Sequence, residues 1–222
     1  MDSASVYTSC QDRLFDLAAE LTADQLATDV PALPAWDVRQ TYAHLAGISV
    51  DVAYKGLTPP SDDEATARQV AERAEDDLPV ICAEWRAATP ALLKVLARET
   101  RARYALPALD VWHHENDLRG ALGMAPQTDY ADQLADFVLR GLGRGWDESL
   151  PGVRVVATDT GQEWRLGGGD DLELRASAFE LARAATGRRS IAQITAMDWS
   201  GDPSAVAARL PTLPAPERDL DL

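Results

Sequence analysis

Three histidines stand in the 222-residue chain, His44, His113 and His114, and so few imidazoles make their neighbours informative. Asp110 and His114 lie four residues apart in ALDVWHHENDLRGALG, a stretch with the character of a helix. Side chains at that spacing share a face, with Cβ atoms ~5–6 Å apart, so a carboxylate oxygen and an imidazole nitrogen reach one ion. Zinc bonds of ~2.0–2.2 Å let such a pair chelate without distorting the helix. A third ligand must come from another element, and His44 is the available one. Three nitrogen and oxygen donors leave a coordination position for water or substrate, as catalytic sites do and structural sites do not. The bland alternative stays open on spacing alone: a helix histidine is most often structural, and an acid four residues before one is often only a helix-stabilising pair. A zinc-protease motif is excluded, because HExxH starting at His114 needs its second histidine where Leu118 stands.

The residues around this constellation have paired readings. Glu115 and Asp117 either orient a ligand histidine or form a solvated charged face. Arg119 pairs with Asp117 or with a substrate carboxylate. His113 projects ~100° away from His114 and reads as a packing or surface residue. Arg188 and Arg189 follow Gly187 in TGRRS, where they either bind an anionic group or complement a helix C-terminus. Glu115, Arg188 and Arg189 are therefore the candidate catalytic side chains. The tryptophans, Trp36 among them, read as core or interface residues.

The elements that must position these groups are mainly helical in the first two thirds. Residues 4–27 carry Val6, Cys10, Leu14, Leu17, Leu21 and Leu26 at the spacing of one buried stripe, predicting a first helix. Asp37 is an N-cap for a second helix over about 37–54. The acidic stretch 61–77 predicts a short exposed helix, and 79–100 a longer one that Pro90 kinks or interrupts. The helix bearing Asp110 and His114 closes at Gly123, which suits the position after a C-cap, and a fifth helix covers about 130–147. After Pro151 the period changes to alternation, with a hairpin turning at Asp159-Thr160-Gly161. A strand runs from there into a helix capped by Gly187, and IAQITAMDW is a further strand candidate. The expected architecture is a mainly α four-helix bundle over residues 1–150, an α+β subdomain with a short antiparallel sheet over 151–210, and an extended tail over 211–222.

Composition bounds the partners. With 36 acidic against 21 basic residues the formal charge is −15, which repels nucleic-acid phosphates and anionic membranes, and no Lys/Arg run offsets it. No stretch approaches the ~20 apolar residues of a membrane span, and no signal peptide is evident, so a cytoplasmic protein is expected. Cys10 and Cys82 form no CxxC pair and read as buried free thiols. Only Lys55 and Lys94 among the basic residues are lysines, as a GC-rich genome would bias them.

Three segments together carry a resemblance: WDVRQTYAHLAG around His44, LDVWHHENDLRGALG around Asp110 and His114, and SAFELARAATGRRS followed by AMDWSGDP. In this order they resemble the mycothiol-dependent maleylpyruvate isomerase family across nearly the whole chain. The resemblance implies a DinB-like metal-binding four-helix bundle with a small C-terminal α+β domain. It implies a divalent metal, foremost Zn2+, on His44, Asp110 and His114, with Asp110 where the isomerases carry glutamate. It also implies mycothiol, the thiol of actinobacteria, as cosubstrate for S-transfer or cis–trans isomerisation of a small electrophile. The same three ligands would also suit a metal-assisted hydrolase, or a noncatalytic protein that binds metal or ligand.

Overall fold

The computed structural model describes residues 1–222, which form two compact units, Asp2–Gln127 with Leu222, and Thr128–Asp221 with Met1. In the first unit, α1 (Ser3–Ala18), α3 (Val38–Tyr54), α5 (Leu78–Arg98) and α6 (Leu106–Ala121) make a four-helix bundle, and α2 (Ala23–Leu26) and α4 (Asp63–Ala71) lie in the connections. α1 packs on α5 and α6, while α3 packs on α4, α5 and α6. Helices begin where a side chain satisfies a free backbone N–H. Asp37 accepts from the Gln40 N–H while the Gln40 side chain returns a bond to the Asp37 N–H, and Asp62 and Asp77 cap α4 and α5. The helix expected over 4–27 ends at Ala18, because Thr22 and Gln25 form a capping box that starts α2. Pro90 does not interrupt α5.

Fully buried Tyr7, Leu14, Tyr42, Leu45, Ile81, Trp85, Leu92, Trp112 and Leu118 form the core of the bundle. Trp85 Nε1 donates to the Tyr7 hydroxyl at 2.6 Å, so a polar bond crosses the core without leaving a polar atom unmatched. Truncating Trp85 to alanine would cost about 3–5 kcal/mol, the range for emptying a buried aromatic site. In α6, Val111–Leu118 are buried without a gap, including His113, His114, Glu115, Asn116 and Asp117. Buried ionisable groups persist only when paired or ligating, so this helix is built around its polar side chains.

In the second unit, α7 (Ala131–Arg144) packs on α8 (Ala178–Ala185) and on a sheet of β1 (Val153–Ala157), β2 (Glu163–Leu166), β3 (Leu172–Ala176) and β4 (Asp198–Trp199). The hairpin forms as expected, β1 antiparallel to β2, but β3 returns along the far edge of β1 and pairs with it in parallel. The order β2-β1-β3-β4 is thus mixed, not antiparallel throughout. β1 is an inner strand, paired on both edges, which matches its nearly continuous apolar run VRVVA. The expected strand over IAQITAMDW is instead α9 (Ile191–Thr195), capped by Ser190 and Gln193, followed by the two residues of β4. The expected boundary at residue 150 moves to 127, because α7 packs on α8 and β2 and its Asp136 accepts from Trp164 Nε1 at 3.0 Å. The tail holds no helix or strand beyond residue 210, and it is pinned by Thr212 N–H to the Ala185 carbonyl and by Gln193 Nε2 to the Leu220 carbonyl.

Candidate metal centre

His44 comes from the middle of α3, and Asp110 and His114 from successive turns of α6; the two helices pack together. His44 Nε2 lies 3.3 Å from Asp110 Oδ2, and His114 Nε2 lies 3.3 Å from Asp110 Oδ1. One donor atom from each residue falls within 4.8 Å of the others. Donors ~2.1 Å from a tetrahedral ion stand roughly 3.4 Å apart, so the spacing already suits one. The two imidazole side chains are 7% and 4% exposed, whereas the Asp110 carboxylate keeps 34%, which makes it the open side of the site.

Each imidazole has its other nitrogen engaged. His114 Nδ1 lies 3.2 Å from Asp117 Oδ2, and His44 Nδ1 lies 2.9 Å from Gln69 Oε1. Both rings are thereby turned so that Nε2 faces Asp110, the arrangement in which outer partners orient metal-binding histidines. Gln69 reaches His44 because Gly47, one turn after His44, carries no side chain; a Cβ there would lie 2.5 Å from Gln69 Cβ. Trp36 lies against both rings, with centroids 4.9 Å from His44 and 6.2 Å from His114. It is held by a tight loop in which Val30 N–H donates to the Trp36 carbonyl and Trp36 N–H to the Leu33 carbonyl.

Burial by itself would raise the Asp110 carboxyl and lower the His114 imidazolium. Their mutual attraction and hydrogen bond outweigh it. Asp110 is held well below the usual carboxylate range, with His44 adding a further hydrogen bond. His114 is pushed up to about 9 by Asp110 and then by Asp117. A negative carboxylate between two inward-facing ring nitrogens suits a cation by charge as well as by shape.

The structure brings His44, Asp110 and His114 together and separates the other candidates from them in role. Glu115 is 1% exposed, not solvated: Arg13 holds it at 2.7 Å through each oxygen, and Arg119 Nε lies 3.3 Å away. Arg119 therefore pairs with Glu115 instead of Asp117. Asp117, also buried, is the partner of His114. His113 packs edge-on to Trp112, 5.0 Å between centroids. In the second unit, Arg189 is bidentate to Glu180 at 2.7 Å, and the Arg188 N–H donates to the Arg183 carbonyl past the end of α8. Gln69 and the placement of Trp36 escaped the sequence analysis. Gln69 sits in an acidic, exposed-looking stretch, and no local spacing ties it to His44.

Residues 7–119, which include all three donors, match the family of the mycothiol maleylpyruvate isomerase N-terminal domain. Two solved structures have a similar fold. The crystal structure of the mycothiol-dependent maleylpyruvate isomerase is 15% identical, with a TM-score of 0.58. That of a histidine-to-alanine mutant of the isomerase is 14% identical, with a TM-score of 0.57. Both comparisons cover 84% of this chain and 88% of the other. No curated protein matches the sequence.

Proposed function

Because this chain belongs to the family of the mycothiol maleylpyruvate isomerase N-terminal domain, we propose that it is a divalent-metal-dependent enzyme that uses mycothiol to isomerise a small electrophile about a cis double bond. The observation that carries this reading is the convergence of His44, Asp110 and His114 on one point inside the matched residues. Two imidazoles and a carboxylate fit Zn2+ and leave a position open. A cation bound there supplies the positive charge that lets a thiol lose its proton near neutral pH.

The rest follows from the side chains. His44 and His114 hold their Nε2 atoms toward the open point, each anchored at Nδ1. The proton given up by the thiol leaves to solvent on the exposed side of Asp110. Trp36 packs against the two rings on one side. The thiolate sulfur bonds to one alkene carbon as the π pair moves onto the electrophile's electron-withdrawing group, and the resulting single bond rotates. The pair then returns, the C–S bond breaks, and the trans product and thiolate are released. The partners in this reading are two small molecules of the cytoplasm.

Turnover of maleylpyruvate by the purified protein with mycothiol tests the reading. Product is expected only with the thiol, is lost on chelation and returns with Zn2+. Equal rates without mycothiol would overturn the thiol chemistry and favour water as nucleophile.

A further inference from the structure

We propose that Arg39 is a positioning residue for the metal centre: from the first turn of α3 it fastens the turn that follows α4, and so holds Gln69 against His44. Arg39 is the arginine of WDVRQTYAHLAG, and its guanidinium meets backbone carbonyls instead of a carboxylate. Nη2 lies 2.6 Å from the Arg73 and Asp76 carbonyls and 2.7 Å from that of Ala74, and Nε lies 3.2 Å from Asp76. A cationic donor on carbonyls at a helix C-terminus satisfies groups that lack a partner within the helix and suits the negative end of its dipole.

α4 needs such an anchor. Its 9 residues are too few for a helix stable by itself, and the one apolar side chain it buries is Ala65. Polar bonds must therefore hold it. Arg68 Nη2 lies 3.0 Å from Asp51 Oδ2, and Lys55 Nζ lies 3.2 Å from Glu72 Oε2. Beyond the helix, buried Arg73 is bidentate to Glu84 of α5, and its Nη1 donates to the Gln69 carbonyl at 2.8 Å. Arg39 in turn holds the carbonyl of Arg73. Direct bonds thus run from Arg39 through Arg73 to the backbone of Gln69, whose Oε1 lies 2.9 Å from His44 Nδ1. Gln69 is fully buried, so a shift of α4 cannot be absorbed by swinging its side chain and must move the amide off the ring.

The consequence for Zn2+ rests on His44 being a ligand, but the anchoring does not, and the experiment separates them. In the metal-free protein, Arg39→Ala should speed amide hydrogen exchange over residues 66–76 while α1, α5 and α6 keep wild-type protection. The His44 ring signals in NMR spectra, single in wild type, should broaden or double. Zn2+ affinity should fall about tenfold, the loss expected when an outer partner releases a ligand histidine. Gln69→Leu, which removes the acceptor itself, should lose as much or more. Adding Arg39→Ala to Gln69→Leu should then cost no more than about twofold further, because the bond through which Arg39 acts is already gone. Should Arg39→Ala melt too low to study, Arg39→Met keeps the aliphatic stem without the donors and carries the same expectations. Additive losses in the double variant, unchanged protection of α4, or protection lost evenly through the bundle would overturn the proposal. So would a loosened α4 that leaves both the His44 signals and the affinity as in wild type. A loosened α4 and altered His44 signals, in a protein whose wild type binds no Zn2+, would leave the anchor standing and remove the metal reading.

Discussion

The Asp110 carboxylate accepts one imidazole at each oxygen, and its balance with His114 sets how the site responds to pH. In the metal-free protein the His114 pKa of about 9 exceeds the ordinary ~6.5 of an unfolded histidine. The pairing therefore stabilises the fold fully below ~6.5, and that contribution is lost as pH rises through 9. A cation takes the place of the Nε2 proton, so binding near pH 7.5 should release about one proton from His114, and affinity should rise about tenfold per pH unit up to 9, then level. Calorimetry in buffers of different ionisation enthalpy checks the proton count, and an affinity flat between pH 7 and 9 would contradict it. Asp110 itself makes a second demand. Asp110→Asn keeps size but removes the charge, whereas Asp110→Glu keeps the charge on a side chain one methylene longer. Zn2+ content and thiol-dependent turnover should both be lower in Asp110→Asn than in Asp110→Glu. Full metal and activity in Asp110→Asn, with only helix stability reduced, would make Asp110 a mere i,i+4 partner of His114.

Among the elements, α3 and α4 approach so closely at Gly47 that the usual helix rule reverses. Alanine in place of a helical glycine ordinarily stabilises by about 1 kcal/mol. Here the added Cβ collides with Gln69, and overpacking should cost a net ~1–3 kcal/mol and loosen His44. Thermal melts and Zn2+ titration of Gly47→Ala decide it; a higher melting temperature with unchanged affinity would show that the close approach is dispensable. Glu115, engaged by Arg13 of α1 and Arg119 of α6, makes a different prediction. Glu115→Gln should lose on the order of 2–4 kcal/mol of stability while Zn2+ affinity is maintained, as measured by denaturant unfolding and metal titration. Helix starts were legible wherever capping chemistry was weighed, as at Asp37. The capping boxes Thr22–Gln25 and Ser190–Gln193 were equally present in the sequence, and they ended the overlong first helix and turned a supposed strand into α9.

At the scale of the molecule, the bundle and the α+β character of the C-terminal part were legible because hydrophobic period changes from helical to alternating. The unit to which α7 belongs and the parallel pairing of β1 with β3 were not, since both depend on long-range partners that no local pattern names. The three donors were legible for the opposite reason: histidine is scarce, and two donors sit one helical turn apart. Their proposed joint role is tested most directly by the Zn2+ affinity of single alanine variants at the three histidines, measured by competition with a chromophoric chelator. His44→Ala and His114→Ala should each lose more than about a hundredfold, beyond the range seen when only an outer partner is removed. His113→Ala, whose ring packs on Trp112, should bind as wild type does. Equal losses in all three variants, or none in any, would contradict a site formed by His44, Asp110 and His114.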